Sequence, residues 1–154
     1  MSEPATTRTG PFWECIAGQR PLPPAAKTLG WALSSVAPER GEIEVLFDAH
    51  EGFTNPIGHV QGGFLAAMLD DTLGPALIAT LPPEQFAPTL ELKVSFLRPA
   101  RPGRLIGRGR VVHRGGTIAF LEGDLRDSAG EVLAMATATA RIVQLRPEPA
   151  PGAS

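Results

Sequence analysis

The sequence is short of several things that would have fixed its function at once. It contains a single cysteine, Cys15, so no internal disulfide and no cysteine-based metal site can form, and a reducing, cytoplasmic setting is expected. Its three histidines, His50, His59 and His113, fall in separate stretches without metal-ligand spacing, so no metal is expected. No run of about 18 apolar residues is available to span a membrane, and the first 25 residues lack the apolar segment of a secretory signal. There is no excess of basic charge either: the net charge of -2 argues against nucleic acid as a partner. A Ser-centred nucleophile elbow is also missing, which excludes the α/β-hydrolase route to ester cleavage.

What remains is a chain of 154 residues, 43% hydrophobic and 19% charged, enough for one domain with a sizeable core. Residues 1–11 and 145–154, rich in Pro, Ala, Ser and Gly, are expected to be loose tails around a folded unit at 12–144. TLGWALSSVA (28–37) is a weakly alternating candidate strand, and GEIEVLFDA (41–49) a clear one, with Ile43, Val45 and Phe47 on one face. From Gly62 to about Thr80 the chain is apolar nearly all round, as in a buried helix, with Pro75 as a kink or an end. Four strands follow from Thr89, punctuated by PARPG, Gly115-Gly116 and SAG, and read as an antiparallel meander. The class is α+β, with an antiparallel sheet wrapped around one long central helix.

The pattern Asn55, Gly62-Gly63 opening the helix, and Asp70 eight positions after the first glycine, with TLELKVSFLRPARPG and VVHRGGTIAFLEGDLRDSAGEVLAMATATARI behind it, resembles the hotdog-fold thioesterases related to the phenylacetate-pathway and 4-hydroxybenzoyl-CoA enzymes. The likeness covers about residues 29–143. It departs where the family carries a histidine directly before the glycines: here that position is Gln61, with His59 two residues earlier. A glutamine amide still donates and accepts hydrogen bonds.

The resemblance implies an acyl-CoA thioesterase acting as a homodimer, often paired into a homotetramer, with no cofactor beyond the CoA of its substrate. In residue terms, Gly62 offers a backbone N–H to polarise the carbonyl, since the first helical turn carries unpaired donors and partial positive charge. Asp70 is the candidate base or nucleophile, and a carboxylate in a buried helix has a raised pKa unless a partner favours its charge. Asp71, about 100° further round, is expected at solvent, a cap or a subunit interface. Asn55 would hold the carbonyl or a water, or else form an Asx turn before Pro56. Thr89 matches a position where relatives carry an orienting hydroxyl, although a Thr at a strand start is commonly structural.

Gly62 and Asp70 stand about 12 Å apart along one helix, so both reach one carbon only if two chains share the site. Seven of the fourteen basic residues lie between Lys93 and Arg114 with no acid among them. Arg98, Arg101, Arg104 and Arg114, with Gln61, Gly63 and His59, are therefore candidates for holding CoA and its phosphates, against the alternative of a solvated sheet face. Two other functions stay open: a hydratase or dehydratase on the same fold, and a non-catalytic acyl-CoA-binding protein. Neither chain length nor aromaticity of the acyl group is legible, because an aromatic content of 6% without tyrosine leaves both aliphatic and aryl acids possible.

Overall fold

The computed structural model describes residues 8–147 together with 151 and 152. Two short helices, α1 (Pro11–Ile16) and α2 (Pro24–Leu29), open the described chain. Each starts on a proline, whose fixed φ and missing N–H suit the first helical position. Gly30, in the left-handed region at φ 66°, ends α2, so only the second half of the expected first strand is extended, as β1 (Ala32–Ala37). β2 (Glu42–Ala49) follows with the expected alternation, Ile43, Val45, Phe47 and Ala49 all buried. After the long helix α3 (Gly62–Ile78) come β3 (Gln85–Phe86), β4 (Thr89–Phe96), β5 (Gly103–Arg114), β6 (Ile118–Arg126), β7 (Val132–Arg141) and β8 (Val143–Gln144).

The large sheet has the order β1-β2-β5-β6-β7-β4, and every pairing is antiparallel. This corrects the expected four-strand meander: β5, β6 and β7 form one, but β4 lies at the far edge beside β7, and β5 pairs instead with β2. Residues 97–102 bridge from one side of the meander to the other. Three strand spacings are about 14 Å, well within the reach of six extended residues, so the PARPG segment is a crossover and not a hairpin.

Helix α3 lies in the concave face of this sheet, with Leu65, Met68, Leu69, Leu73 and Leu77 buried against it. Each such side chain contributes about 1.5–3 kcal/mol by leaving water. The approach is close because glycines occupy the inward positions beneath the helix. A Cβ on Gly107 would run into the Thr72 hydroxyl, and one on Gly123 would stand 2.9 Å from Leu73. Thr72 itself is fully buried and donates to the Met68 carbonyl at 2.8 Å.

The helix is nevertheless not covered all round. Gly63, Ala67 and Asp70, spaced i, i+4, i+7, are exposed along one strip. Alanine and glycine count as apolar in a pattern yet need no burial, which is why the sequence read as a fully buried helix. The N-terminal segment packs over the other end of α3. Arg8 donates to the Ala79 carbonyl at 3.2 Å, and the Leu145 N–H reaches the Glu84 carbonyl at 2.7 Å beside the β3–β8 pair. Chain on either side of 12–144 is thus tied to the domain, while the outermost parts of both expected tails, 1–7, 148–150 and 153–154, lie outside the described residues.

Candidate active site

Gln61 is the N-cap of α3 and provides no side-chain cap. The N–H groups of Phe64 and Leu65 both reach the Gln61 carbonyl, at 2.9 and 3.3 Å, which leaves Gly62 and Gly63 as the unpaired donors of the first turn among the described residues. Gly62 lies against β4: a Cβ there would sit 3.2 Å from the Phe96 ring, tight enough that only glycine fits without a shift. Asn55, His59, Gly62, Leu65, Phe96 and Arg98 line one shallow depression of about 350 Å³.

The Asn55 side chain does form the local turn: its Oδ1 accepts from the N–H of Ile57 and of His59, each at 3.1 Å. That commits the amide oxygen to the loop and leaves the amide N–H₂ as the group able to meet a ligand. His59 is half-buried, with its backbone paired to Asn55 at 2.7 Å, so the loop that delivers it is braced from both sides.

Eight residues along the helix, Thr89 Oγ1 donates to Asp70 Oδ1 at 2.7 Å. The bond leaves Oδ2 of Asp70 open. Asp70 is exposed, and this corrects the expectation of a carboxylate sunk in the helix. The more deeply set acid of the pair is Asp71, half-buried where solvent, a cap or an interface was expected. Burial first, and the neighbouring Asp70 charge second, push its pKa from 3.8 up to about 7. Asp71 Oδ2 is buried and has no hydrogen-bond partner among the described residues. Trp31 Nε1 donates to the Asp71 backbone carbonyl at 2.9 Å.

The arginines divide into separate groups. Arg98 is at the depression, donating to the Val132 carbonyl at 2.7 Å with Glu131 at 3.4 Å. Arg101 and Arg104 are exposed and enter none of the ion pairs among the described residues. Arg108 and Arg110 bond Glu44 at 2.9 Å and Glu122 at 2.6 Å, acids contributed by the neighbouring strands β2 and β6. Arg114 does not share their face. The register slips between Val111 and His113, and Arg114 then stands opposite the buried Ala119 on the helix side, where it donates to the Thr80 carbonyl at 2.9 Å. It holds the turn just past the C-terminal end of α3, where a cation is favoured, at the opposite end of the helix from Gly62.

Among the described residues no group of three or more His, Cys, Asp or Glu is gathered that could hold a metal, and no helix is long and apolar enough to cross a membrane.

A six-stranded antiparallel sheet wrapped on one long helix defines a hotdog domain. The chain belongs to the thioesterase superfamily, whose family model matches residues 57–134, and thioester hydrolysis is that superfamily's chemistry. Acyl-coenzyme A thioesterase 13 of Homo sapiens is 31% identical over 106 residues, which cover 66% of this chain and 72% of the human one. A phenylacetic acid degradation-related protein from Ralstonia eutropha superposes with a TM-score of 0.82 at 42% identity, covering 84% of this chain and 98% of its own. A thioesterase from Haemophilus influenzae, at 20% identity and a TM-score of 0.77 over 92% of this chain and 96% of its own, shares the fold.

Two features of this region were not anticipated from the sequence. The first is the glycine bed at 107, 109 and 123, whose signal was the alternation of glycine with arginine in GRGR. The second is the packing of α1 and α2 beside Asp71, for which short proline-led segments give no periodicity.

Proposed function

We propose that the protein hydrolyses acyl-CoA thioesters at two equivalent sites, each shared between the chains of a homodimer. The observation that carries this reading is the exposed Asp70 carboxylate, bonded by Thr89 through one oxygen only, on the same helix whose first turn offers the Gly62 N–H. Oδ2 of Asp70 takes a proton from water as the water oxygen bonds to the thioester carbon, or the carboxylate itself bonds to that carbon and water then cleaves the resulting anhydride to the free acid and Asp70. Negative charge gathers on the carbonyl oxygen and is met by the Gly62 N–H of the other chain. The C–S bond then breaks, and CoA leaves as a thiolate that takes up a proton. Asn55 is placed to donate its amide to the carbonyl or the water, and Thr89 positions Asp70.

The placement of β4 supports the shared site. This strand is an edge of the sheet, with Asp70 bonded at its first residue, Thr89, and Gly62 against its last, Phe96. If two copies pair antiparallel along β4 about its midpoint, Thr89 of one chain falls opposite Phe96 of the other. Asp70 of each chain then meets Gly62 of its partner. Leu90 and Phe96, more than half exposed in the single chain, and the small residues of the exposed α3 strip support such a contact. Arg98 and Arg101 are the cations near the Gly62 end and are assigned to the CoA phosphates.

The test is complementation. A Gly62→Val chain and an Asp70→Asn chain, each inactive in thiol release from acyl-CoA, are mixed under conditions of verified subunit exchange. Mixed dimers recover activity because one of their two sites carries an intact Gly62 and an intact Asp70. No recovery would refute the shared site, whereas an inactive unmodified protein across a broad acyl-CoA panel would refute hydrolysis itself.

A further inference from the structure

Ahead of α3, Glu51–Phe53 form one turn of 3-10 helix with His50 as its N-cap, and three rings there stack in series. The His50 ring lies on Phe53 with centroids 3.8 Å apart and planes at 38°, and Phe53 lies on Phe64 at 4.1 Å and 14°. Phe64 is the third residue of α3, directly after Gly62 and Gly63. Phe53 is buried and His50 exposed, so the stack runs from the surface to the first turn of the helix. Ring pairs at such spacings favour particular orientations as well as burying area.

Phe53 reaches the same turn a second time through its backbone. Its carbonyl accepts the Gln61 N–H at 2.8 Å, and the Gln61 carbonyl accepts the Phe64 N–H at 2.9 Å. Phe53 thus holds the residues on either side of Gly62 and Gly63. What locates Phe53 is His50. The Gly52 N–H donates to His50 Nδ1 at 3.1 Å, which places the ring proton on Nε2, and the Phe53 N–H donates to the His50 carbonyl at 3.0 Å. The imidazole also lies tight on the backbone: a Cβ on Gly52 would stand 2.9 Å from both Nδ1 and Cε1. An exposed ring gains little by burial, so this fit serves to fix its orientation.

Resting on the thioesterase reading above, we infer that His50 is a positioning residue for the reaction, which acts through Phe53 to aim the Gly62 N–H at the carbonyl oxygen. The imidazole touches no reacting atom and leaves proton transfer to Asp70. A donor aimed at developing charge is worth about 10²–10³ in rate, and a misplacement of about 1 Å forfeits much of that, so a residue outside the site registers in kcat.

The experiment measures kcat and KM for thiol release from hexanoyl-CoA and phenylacetyl-CoA, together with Tm, in the unmodified protein and in His50→Ala, His50→Asn, Gly52→Ala and the double variant His50→Ala/Gly52→Ala. His50→Ala lowers kcat about 10- to 100-fold while KM stays within about threefold, because the lost alignment acts in the transition state. Gly52→Ala keeps the histidine but displaces its ring, and since Gly52 is not at positive φ the methyl acts by contact alone; kcat falls to a similar extent. The double variant loses no more than His50→Ala, as both changes break one contact. His50→Asn regains an oxygen that accepts the N–H two residues on, and so regains Tm, yet kcat stays low without the ring. A kcat that follows Tm through the set, losses that add in the double variant, or an unaltered kcat in His50→Ala overturns the inference. A second readout needs no turnover. Amide hydrogen exchange followed by NMR shows the Gln61 N–H exchanging about tenfold faster in His50→Ala, while amides in the middle of β6 keep their rates. If the unmodified protein cleaves neither CoA ester, the hydrolytic reading fails for them, and exchange still decides whether His50 holds the turn: an unaltered Gln61 rate sinks the positioning role.

Discussion

Replacing Asp71 by Asn should stabilise the protein at neutral and alkaline pH but not at pH 4. In the folded chain, burial and the adjacent Asp70 charge lift the Asp71 pKa to about 7 from 3.8. Below about pH 4 the group is protonated whether the chain is folded or not, so it contributes nothing to pH dependence. As pH rises from 4 to 7 the unfolded chain releases the proton while the folded chain keeps it, so folding stability falls through that window. Above about 7 both forms are ionised and the loss is constant. At about 1.4 kcal/mol per unit, the gap sets an upper bound of about 4 kcal/mol, and partial access of water to the half-buried side chain reduces the expected loss to about 1–3 kcal/mol. Asn has nearly the same shape and no charge. Urea denaturation of both proteins at pH 5, 6, 7 and 8, at one fixed protein concentration, measures the difference. It should grow in favour of Asp71→Asn up to about pH 7 and then level off. A difference that is flat across this range would refute the burial of Asp71, and one that shrinks with pH would show that a cation compensates it.

Two further outcomes follow from the packing. Gly107→Ala drives a methyl into the buried Thr72 hydroxyl and should cost about 1–3 kcal/mol, lowering Tm by about 3–10 °C, with partial recovery when Thr72→Ala is added; an unaltered Tm would mean that the helix does not rest on this strand. Arg101→Ala should raise the apparent KM for acyl-CoA more than for a thioester lacking the nucleotide, whereas Arg114→Ala, which frees the turn just past the C-terminal end of α3, should act mainly on Tm, by about 2–4 °C; the reverse pattern would return Arg114 to the CoA site.

How far the sequence could be read depended on which physical signal each part carries. The ends of α3 and the extents of β2 and of β4 to β7 were legible because period, glycine and proline act locally, within a few residues. The neighbour of β4 was not, since alternation tells which face a residue occupies and nothing about which strand lies alongside. Simple alternation along β5 would put Arg114 on the outward face with Arg108 and Arg110. The register slip before His113 turns Arg114 inward, and no pattern in VVHRGG marks where a bulge falls. The lack of acids between Lys93 and Arg114 misled for a related reason: Glu44 and Glu122, the partners of Arg108 and Arg110, come from strands far away in sequence. At the helix, the sequence singled out Gly62, Asp70 and Thr89, and the structure brings Thr89 to Asp70, but small residues concealed that Asp70 faces outward.

The adjacent acids of α3 therefore answer to different surroundings, and the difference lies in what each carboxylate is denied. Seven cations lie between positions 93 and 114, yet among the described residues neither Asp70 nor Asp71 forms an ion pair. For Asp70 the partner is a neutral hydroxyl, which fixes the direction of one oxygen without cancelling the charge that a base or nucleophile needs. An arginine in place of Thr89 would grip the carboxylate through both oxygens and leave none for water. Asp71 has, among the described residues, no donor on its buried Oδ2, a cost the fold bears. One residue of helical rotation separates an exposed carboxylate held by a neutral hydroxyl from one whose inner oxygen has no partner among the described residues. Exchanging the two side chains' surroundings would require turning α3 by about 100° against a glycine bed that permits no such turn.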